Sequence, residues 1–550
     1  MTTYNACLVY VRNVALLLAR TMSGNYLLVV CLAALAARTS SINDETRPNI
    51  LFIMADQMRA DLMGCAGNPA AKTPNLDWLA SQGVRFKNAF SSTPTCTPAR
   101  AAILTGLSPW YHGMLGYGAV APRYDFEMPR ALSSGGYFAY SIGKDHFGWN
   151  SSKDAGIAHG YNGTHLYDGL PNEVDDYDEW FMKTDPGVDP MATGLTYNDY
   201  RGRAYALPEY YHPTAWVGRT AVDFLESYNR SEPFFLKVSF HRPHSPYDPP
   251  EEWMEQFNPK SMPDPSAGGN WDSRYAIHYN GTPDPGIWCG DLGLQQVHLS
   301  RQAYYASVSF VDKWIGNIFK VLENRELLDN TLLFFTADHG DMMGDHYHWR
   351  KGYPYFGSAS IPMLLTWPPS MDHSNGGVIT TQRGTVKDEV TELRDIFPTF
   401  LDVAGLPVPD SLNGSSLLNL LKDSEDIPNI PETPVKWREY VDLEHDICYN
   451  VTNHWNALTD GEFKYIFEAY FADEQLFDLQ SDPQELHNLA AEKEWQSELE
   501  MWRQRLVEQF EREGRGSEWV QGGKLMKRVN GMLYSPHYPG KASTKVLPPD

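Results

Sequence analysis

Cysteine is scarce in this chain, with six among 550 residues. Cys7 and Cys31 lie before residue 38, and the remaining Cys65, Cys96, Cys289 and Cys448 are too few and too scattered to form a disulfide framework. The chain also lacks any basic run or patterned Lys/Arg cluster, and its formal net charge is −24. That balance argues against nucleic acid or an anionic membrane surface as partner. An anionic substrate has to be drawn in by a local positive site. No apolar run is long enough to cross a bilayer comfortably, so stable membrane insertion is not expected. The run that comes nearest, Tyr26 to Ala37, follows Arg12 and Arg20, contains Ala34-Leu35-Ala36 and gives way to Arg38-Thr39-Ser40-Ser41. It reads as a signal peptide over residues 1–37, with a retained anchor as the alternative. Asn-x-Ser/Thr sites at Asn150, Asn162, Asn229, Asn280, Asn413 and Asn450 fit passage through a secretory pathway, to an extracellular or lysosome-like compartment. No internal repeat is visible.

What is present is a set of buried-strand patterns that end in polar clusters. Asn49 to Ala55 stops at Asp56-Gln57, and Thr331 to Ala337 stops at Asp338-His339-Gly340. Tyr137 to Ile142 ends at Gly143-Lys144-Asp145-His146, and Phe234 to Phe240 at His241-Arg242-Pro243-His244. The first two, as continuous apolar runs, read as parallel strands covered on both faces. Ligands of open α/β sheets bind beyond the carboxyl ends of such strands, so clusters far apart in sequence can line one crevice. Helices are expected between them, over Pro74 to Gln82, Thr214 to Tyr228, Val297 to Leu322 and Leu393 to Ala404. The expected fold is therefore α/β, with a large mixed, mostly parallel sheet flanked by helices. Residues 410–434, dense in proline and asparagine, read as a linker. Beyond it, strand patterns near Glu439 to Leu443, Trp455 to Thr459, Phe463 to Ala469 and Glu474 to Leu479 imply a smaller antiparallel sheet. Asp482-Pro483 is expected to cap a long helix running to about Arg512. The implied domains are 46–425 and 435–550.

The run Cys96-Thr97-Pro98-Ala99-Arg100, closed by Thr105-Gly106, reads as a loop entering a short helix with Pro98 at its first position. Free helix amides there favour an anion, and Arg100 one turn in adds a planar charged fork. The same field is expected to lower a thiol's pKa.

This run resembles the signature of the formylglycine-dependent sulfatases of the alkaline phosphatase superfamily, Cys-x-Pro-x-Arg followed by Thr-Gly. Ala99 stands where most members carry serine. Thr73-Pro74-Asn75-Leu76-Asp77, Gly143-Lys144-Asp145-His146, Asp338-His339-Gly340, and Glu474 to Leu479 with Asp482-Pro483 are similar to further family passages, in the same order. The resemblance implies an alkaline-phosphatase-like fold. It also implies that a formylglycine-generating enzyme converts Cys96 to an aldehyde whose hydrate attacks sulfur. Asp56, Gln57, Asp338 and His339 would hold a divalent cation: Ca²⁺ by the oxygen-rich set, with Mg²⁺ or Mn²⁺ as alternatives. Arg100 and Lys144 would neutralise sulfuryl oxygens, His244 and Lys351 would protonate the leaving alcohol, and His146 would take the proton that returns the aldehyde. Asp345, His346 and His348 read as supporting groups, His241 as structural, and Glu444-His445 as a candidate for the pocket mouth. Phe356 stands where many relatives have glutamate. The long segment Leu166 to Pro208 looks like a specificity loop. The expected substrate is a sulfated carbohydrate, with small aryl sulfates as surrogates. A phosphonate monoester or phosphodiester hydrolase using the same nucleophile is the nearer alternative, and a noncatalytic secreted glycoprotein the remote one.

Overall fold

The computed structural model describes residues 47–148, 158–170, 173–190, 193–422 and 436–540. The leader, Asn150 and residues 423–434 of the expected linker lie outside these residues. Pro48–Asp550 forms one compact unit.

Eight strands build the large sheet: β1 (Asn49–Ala55), β2 (Val84–Phe86), β3 (Phe138–Gly143), β4 (Gly163–Leu166), β5 (Phe234–Phe240), β6 (Thr331–Thr336), β7 (Met363–Thr366) and β8 (Thr385–Lys387), in the order β4-β3-β5-β1-β6-β7-β2-β8. The β4-to-β6 half is parallel throughout, whereas β7 runs antiparallel to both β6 and β2. Every residue of β1, β5 and β6 is buried, as expected of largely apolar strands covered on both faces, and the one charge among them, Lys237 of β5, is paired with Asp145. The flanking helices are α1 (Pro74–Ser81), α2 (Cys96–Thr105), α3 (Pro213–Ser227), α4 (Leu294–Asn324) and α5 (Ile396–Val403). Phe400 of α5 packs edge-on against Phe52 and Phe334, with ring centroids 5.4 and 5.5 Å away, and the β1–β6 register sets those two rings side by side.

Strands β9 (Val441–His445), β10 (Trp455–Thr459), β11 (Phe463–Glu468) and β12 (Asp473–Asp478) form the small antiparallel sheet in sequence order. Helix α6 (Gln496–Arg512) lays Trp502, Leu506 and Phe510 against Leu458, Tyr465 and Leu476 of that sheet. No helix among the described residues is long and apolar enough to cross a membrane.

Three local expectations are corrected. Helix α2 begins at Cys96 itself, with Thr95 preceding it and Ala99 N–H donating to the Thr95 carbonyl at 3.1 Å. Pro98 is thus the third helical residue, still in the turn where no N–H partner exists to be lost. The helix expected from Asp482-Pro483 starts only at Gln496. Between them the chain turns inward because Glu485, fully buried at φ 56°, pairs with Lys464 at 2.5 Å and accepts the Phe356 N–H at 2.6 Å. Finally, the segment Leu166 to Pro208 is no plain loop. It carries a helix, Asp176–Thr184, opened by a capping box from Asp175.

Candidate active site

Helix α2 and the carboxyl ends of β1, β3, β5 and β6 meet at the Cys96 thiol. The β1–β5 pairing continues one residue past the strand, Asp56 N–H donating to the Phe240 carbonyl at 2.9 Å, and Gln57 then turns into the left-handed region at φ 64°. At the end of β3, Gly143 has φ 92°, and a Cβ there would lie 2.1 Å from the Ser239 carbonyl oxygen. Only glycine permits that turn, which delivers Lys144.

Cys96 Sγ lies 3.1 Å from Lys351 Nζ, 3.2 Å from His339 Nε2, 3.8 Å from Asp56 Oδ1 and 3.9 Å from Lys144 Nζ. All five residues are fully buried. The expected lowering of the thiol pKa is not what the structure shows. Burial, and then the Asp56 carboxylate, push the thiol up to about 12, against the opposing charges of Lys144 and Lys351. Arg100 directs its donors at the acids and at backbone: Nε to Asp338 Oδ2 at 3.0 Å, Nη2 to Asp56 Oδ2 at 3.1 Å, and Nη1 to the Lys144 carbonyl at 2.7 Å. Lys144 Nζ sits 2.8 Å from Asp56 Oδ2. Although burial raises the Asp56 carboxyl, the charges of Lys144 and Arg100 prevail and hold it well below the usual range.

The donor set suits a hard cation. Asp56, Cys96, Asp338 and His339 each offer one ligand atom, all within 4.8 Å of one another. His339 Nδ1–H is turned to the Gly340 carbonyl at 2.9 Å, which leaves Nε2 with its lone pair toward the thiol. Gln57 donates its backbone N–H to Asp338 Oδ1 at 3.1 Å and its side-chain amide to Asp341 Oδ2 at 2.6 Å. Its Oε1 is buried without a hydrogen-bond partner. A buried amide oxygen left in that state loses on the order of 1–3 kcal/mol, and a cation beside the two carboxylates would recover it.

Opposite this set, Lys351 Nζ donates to His244 Nε2 at 2.9 Å, while His244 Nδ1–H donates to the Ser245 carbonyl at 2.6 Å. Burial, followed by the charges of Lys351 and Lys144, keeps the His244 imidazole neutral, its pKa well below the ordinary histidine value.

The structure gathers Asp56, Gln57, Cys96, Arg100, Lys144, His244, Asp338, His339 and Lys351 into one buried network. His146 stands at its edge, with Nε2 3.1 Å from the Tyr117 hydroxyl and its backbone N–H on Asp168 Oδ1 at 2.9 Å. His241 pairs with Arg242 and with Tyr197, at 2.6 and 3.3 Å. Asp345 is occupied by Arg59 and Arg301, His346 by Asp272, and the His348 ring packs at a tilt against Tyr275 and Tyr353. These three brace the loop that brings Lys351 in. Glu444 is clamped by Arg515, whereas His445 Nε2 reaches Thr95 Oγ1 at 3.0 Å, next to Cys96. Sequence reasoning missed Asp341, Tyr117 and Tyr197. Asp341 alone carried a signal, lying just past Asp338-His339-Gly340.

A central sheet whose strand ends surround a buried Cys96, with an acidic donor set on one side and a Lys–His pair on the other, defines a sulfuric ester hydrolase once the comparisons are joined to it. Residues 48–406 match the Sulfatase family model, and residues 344–512 match the model for the C-terminal part of N-sulphoglucosamine sulphohydrolase. The arylsulfatase of Clostridium perfringens is 36% identical over 497 residues, covering 88% of this chain and 98% of that protein. The iduronate 2-sulfatase of Mus musculus is 29% identical over 418 residues, 68% of this chain and 71% of that one. Among solved structures, the phosphonate monoester hydrolase of Agrobacterium radiobacter superposes with a TM-score of 0.68 at 27% identity, over 85% of this chain and 96% of that one. The chain belongs to the sulfatase family.

Proposed function

We propose that this sulfatase hydrolyses sulfate esters of a carbohydrate, with Cys96 converted to formylglycine by a generating enzyme and a divalent cation held by Asp56, Gln57, Asp338 and His339. The observation that carries this is the position of Cys96 Sγ, between the cation-type donor set and the Lys351–His244 pair, at the buried start of α2. When bound, the cation supplies Lewis-acid polarisation and the modified side chain supplies a geminal hydroxyl pair. The residues of the chain do the rest. Arg100 fixes both carboxylates, and Lys144 places a positive charge beside the nucleophile, where sulfuryl oxygens gather negative charge. Lys351 holds the proton destined for the leaving alcohol, with His244 orienting it. His146 is the base that accepts a proton at the end of the cycle.

The sugar reading draws support from the mouse relative, which is named for a sulfated sugar acid. Half-buried Tyr197, on the segment following β4, stands with its ring 5.2 Å from His244. We assign residues 1–37 to a removed leader, 46–425 to the catalytic domain and 435–550 to a C-terminal subdomain, in a protein delivered to an extracellular or lysosome-like compartment. The sequons Asn162, Asn229 and Asn280 are exposed, as glycan attachment requires. Ca²⁺ is the preferred cation.

The phosphonate monoester hydrolase superposition supports the second reading, in which the same nucleophile acts on phosphorus. Peptide mass spectrometry across Cys96, followed by turnover of an aryl sulfate, a phosphonate monoester and a panel of sulfated sugars, separates the two. Formylglycine at Cys96 with sulfate turnover is expected. Unmodified thiol in an active preparation, or phosphonate turnover exceeding sulfate turnover, refutes the proposal. Cys96→Ala should keep the fold and lose all turnover.

A further inference from the structure

The last described stretch of the chain lies beyond the residues matched by either family model. It returns to the catalytic domain and grips the loop that follows α2. Leu115 N–H donates to the Leu533 carbonyl at 2.9 Å, and Ser535 N–H to the Gly113 carbonyl at 2.8 Å. Ala119 N–H donates to the Tyr534 hydroxyl at 2.8 Å, while the Tyr538 hydroxyl donates to the Ala119 carbonyl at 2.7 Å. The Tyr534 and Tyr538 rings stack with centroids 4.0 Å apart. Two glycines make the fit possible: a Cβ on Gly113 would meet the Tyr538 backbone at 2.4 Å, and one on Gly118 would meet the Tyr534 hydroxyl at 2.5 Å. The strap is tied down in turn by Met532 N–H on Asp446 Oδ2 at 2.5 Å and by Arg528 N–H on the Ala469 carbonyl at 2.8 Å.

Between Gly116 and Gly118 on the gripped loop is Tyr117. It is buried, its hydroxyl is 3.1 Å from His146 Nε2, and its ring meets the imidazole edge to face at 5.9 Å. His146 itself sits in the left-handed region at φ 58°. A histidine base works from one ring nitrogen while the partner of the other nitrogen sets its tautomer and orientation.

We infer that the C-terminal strap, residues 528–538, is part of the active site, and that it acts through Tyr117, a positioning residue for His146. The inference rests on the base role given to His146 above. The strap and Tyr117 form one chain of contacts from the carboxyl-terminal end of the protein to the imidazole. Residues coupled in this way lose their effects non-additively.

The test is a double-mutant cycle in the full-length, formylglycine-loaded enzyme, read by kcat and KM on one aryl sulfate and by amide hydrogen exchange of residues 113–121. Tyr534→Ala should speed exchange of that loop by roughly tenfold or more. It should also lower kcat by roughly tenfold, part of the hundredfold or more that a general base contributes, with KM within about twofold. Tyr117→Phe should lower kcat equally without changing exchange. The double variant should lose no more than Tyr117→Phe alone, and Tyr534→Phe, which keeps the ring, should restore most of the kcat. Losses that multiply in the double variant, or faster exchange with kcat unchanged, overturn the inference. If Tyr534→Ala does not fold, Gly118→Ala, whose Cβ would meet Tyr534 Cζ at 2.8 Å and push the ring itself off the loop, takes its place in the cycle with the same expected and refuting results. A wild-type enzyme inert on all sulfate esters would refute the proposed function instead, and the exchange readings would then decide whether the strap holds the loop.

Discussion

Lys351→Ala should damage hydrolysis of a sugar sulfate more than His244→Ala does, and both should matter far less on a nitrophenyl sulfate. The two side chains lie 2.9 Å apart and are fully buried, with Lys351 Nζ donating to His244 Nε2. Without Lys351, the remaining His244 is neutral, because burial and the Lys144 charge oppose its protonation, so no acid is left. Without His244, the ammonium survives but loses the acceptor that aims it. General acid catalysis contributes about 10²–10⁴-fold, which sets the expected losses on a sugar sulfate at roughly a thousandfold for Lys351→Ala and a hundredfold for His244→Ala. A hundredfold loss corresponds to about 2.7 kcal/mol of transition-state stabilisation. A nitrophenolate departs without protonation, so each variant should keep its rate on that substrate to within about tenfold. The assay is kcat/KM on both substrates, normalised to the formylglycine content of each preparation by peptide mass spectrometry. Equal losses on the two substrates would refute the reasoning, since they would mean that the pair binds the sulfate group and does not serve the leaving oxygen.

Chelation of divalent metal, or Asp338→Ala, should abolish turnover, with the bound ion identified by elemental analysis; full activity of a metal-free preparation would contradict the assignment of the donor set. Asp345, lowered to about 2 by Arg59 and Arg301 against the opposing effect of burial, contributes stability that is complete above its unfolded pKa near 4 and is lost as pH falls toward 2. That contribution is about 2 kcal/mol, and Asp345→Asn should flatten the fall in melting temperature between pH 4 and pH 2 while lowering stability at neutral pH. Glu485→Ala should destabilise the protein by about 3–5 kcal/mol in denaturant titration, because it strands the buried Lys464 ammonium. An unchanged midpoint would show that Lys464 finds compensation elsewhere.

The strands and the residues at their ends were legible in the sequence because both obey local rules. A strand covered on both faces is largely apolar, so β1 was bounded to the residue and so was β5 despite its Lys237 and Ser239, and the polar pairs beyond β1 and β6 stood out by contrast. The short signature around Cys96 carried its chemistry within five residues. Periodicity said less about ends that depend on partners. Nothing local revealed that Glu485 would be drawn under the small sheet by Lys464, which delays α6 to Gln496. Nor could local rules settle the Cys96 thiol: a helix start and a nearby arginine lower its pKa, but Arg100 is taken up by Asp56 and Asp338, and the thiol itself is buried against a carboxylate. The pairing of Tyr117 with His146, and the strap from Arg528 to Tyr538 behind it, join segments separated by hundreds of residues. By itself, then, the sequence determined the class of fold and the family, since each is written in short-range pattern. The tertiary structure decided which charges are consumed by one another, how Lys351 and His244 pair and what holds the His146 ring, because burial and long-range contact set those, and neither has a local signature.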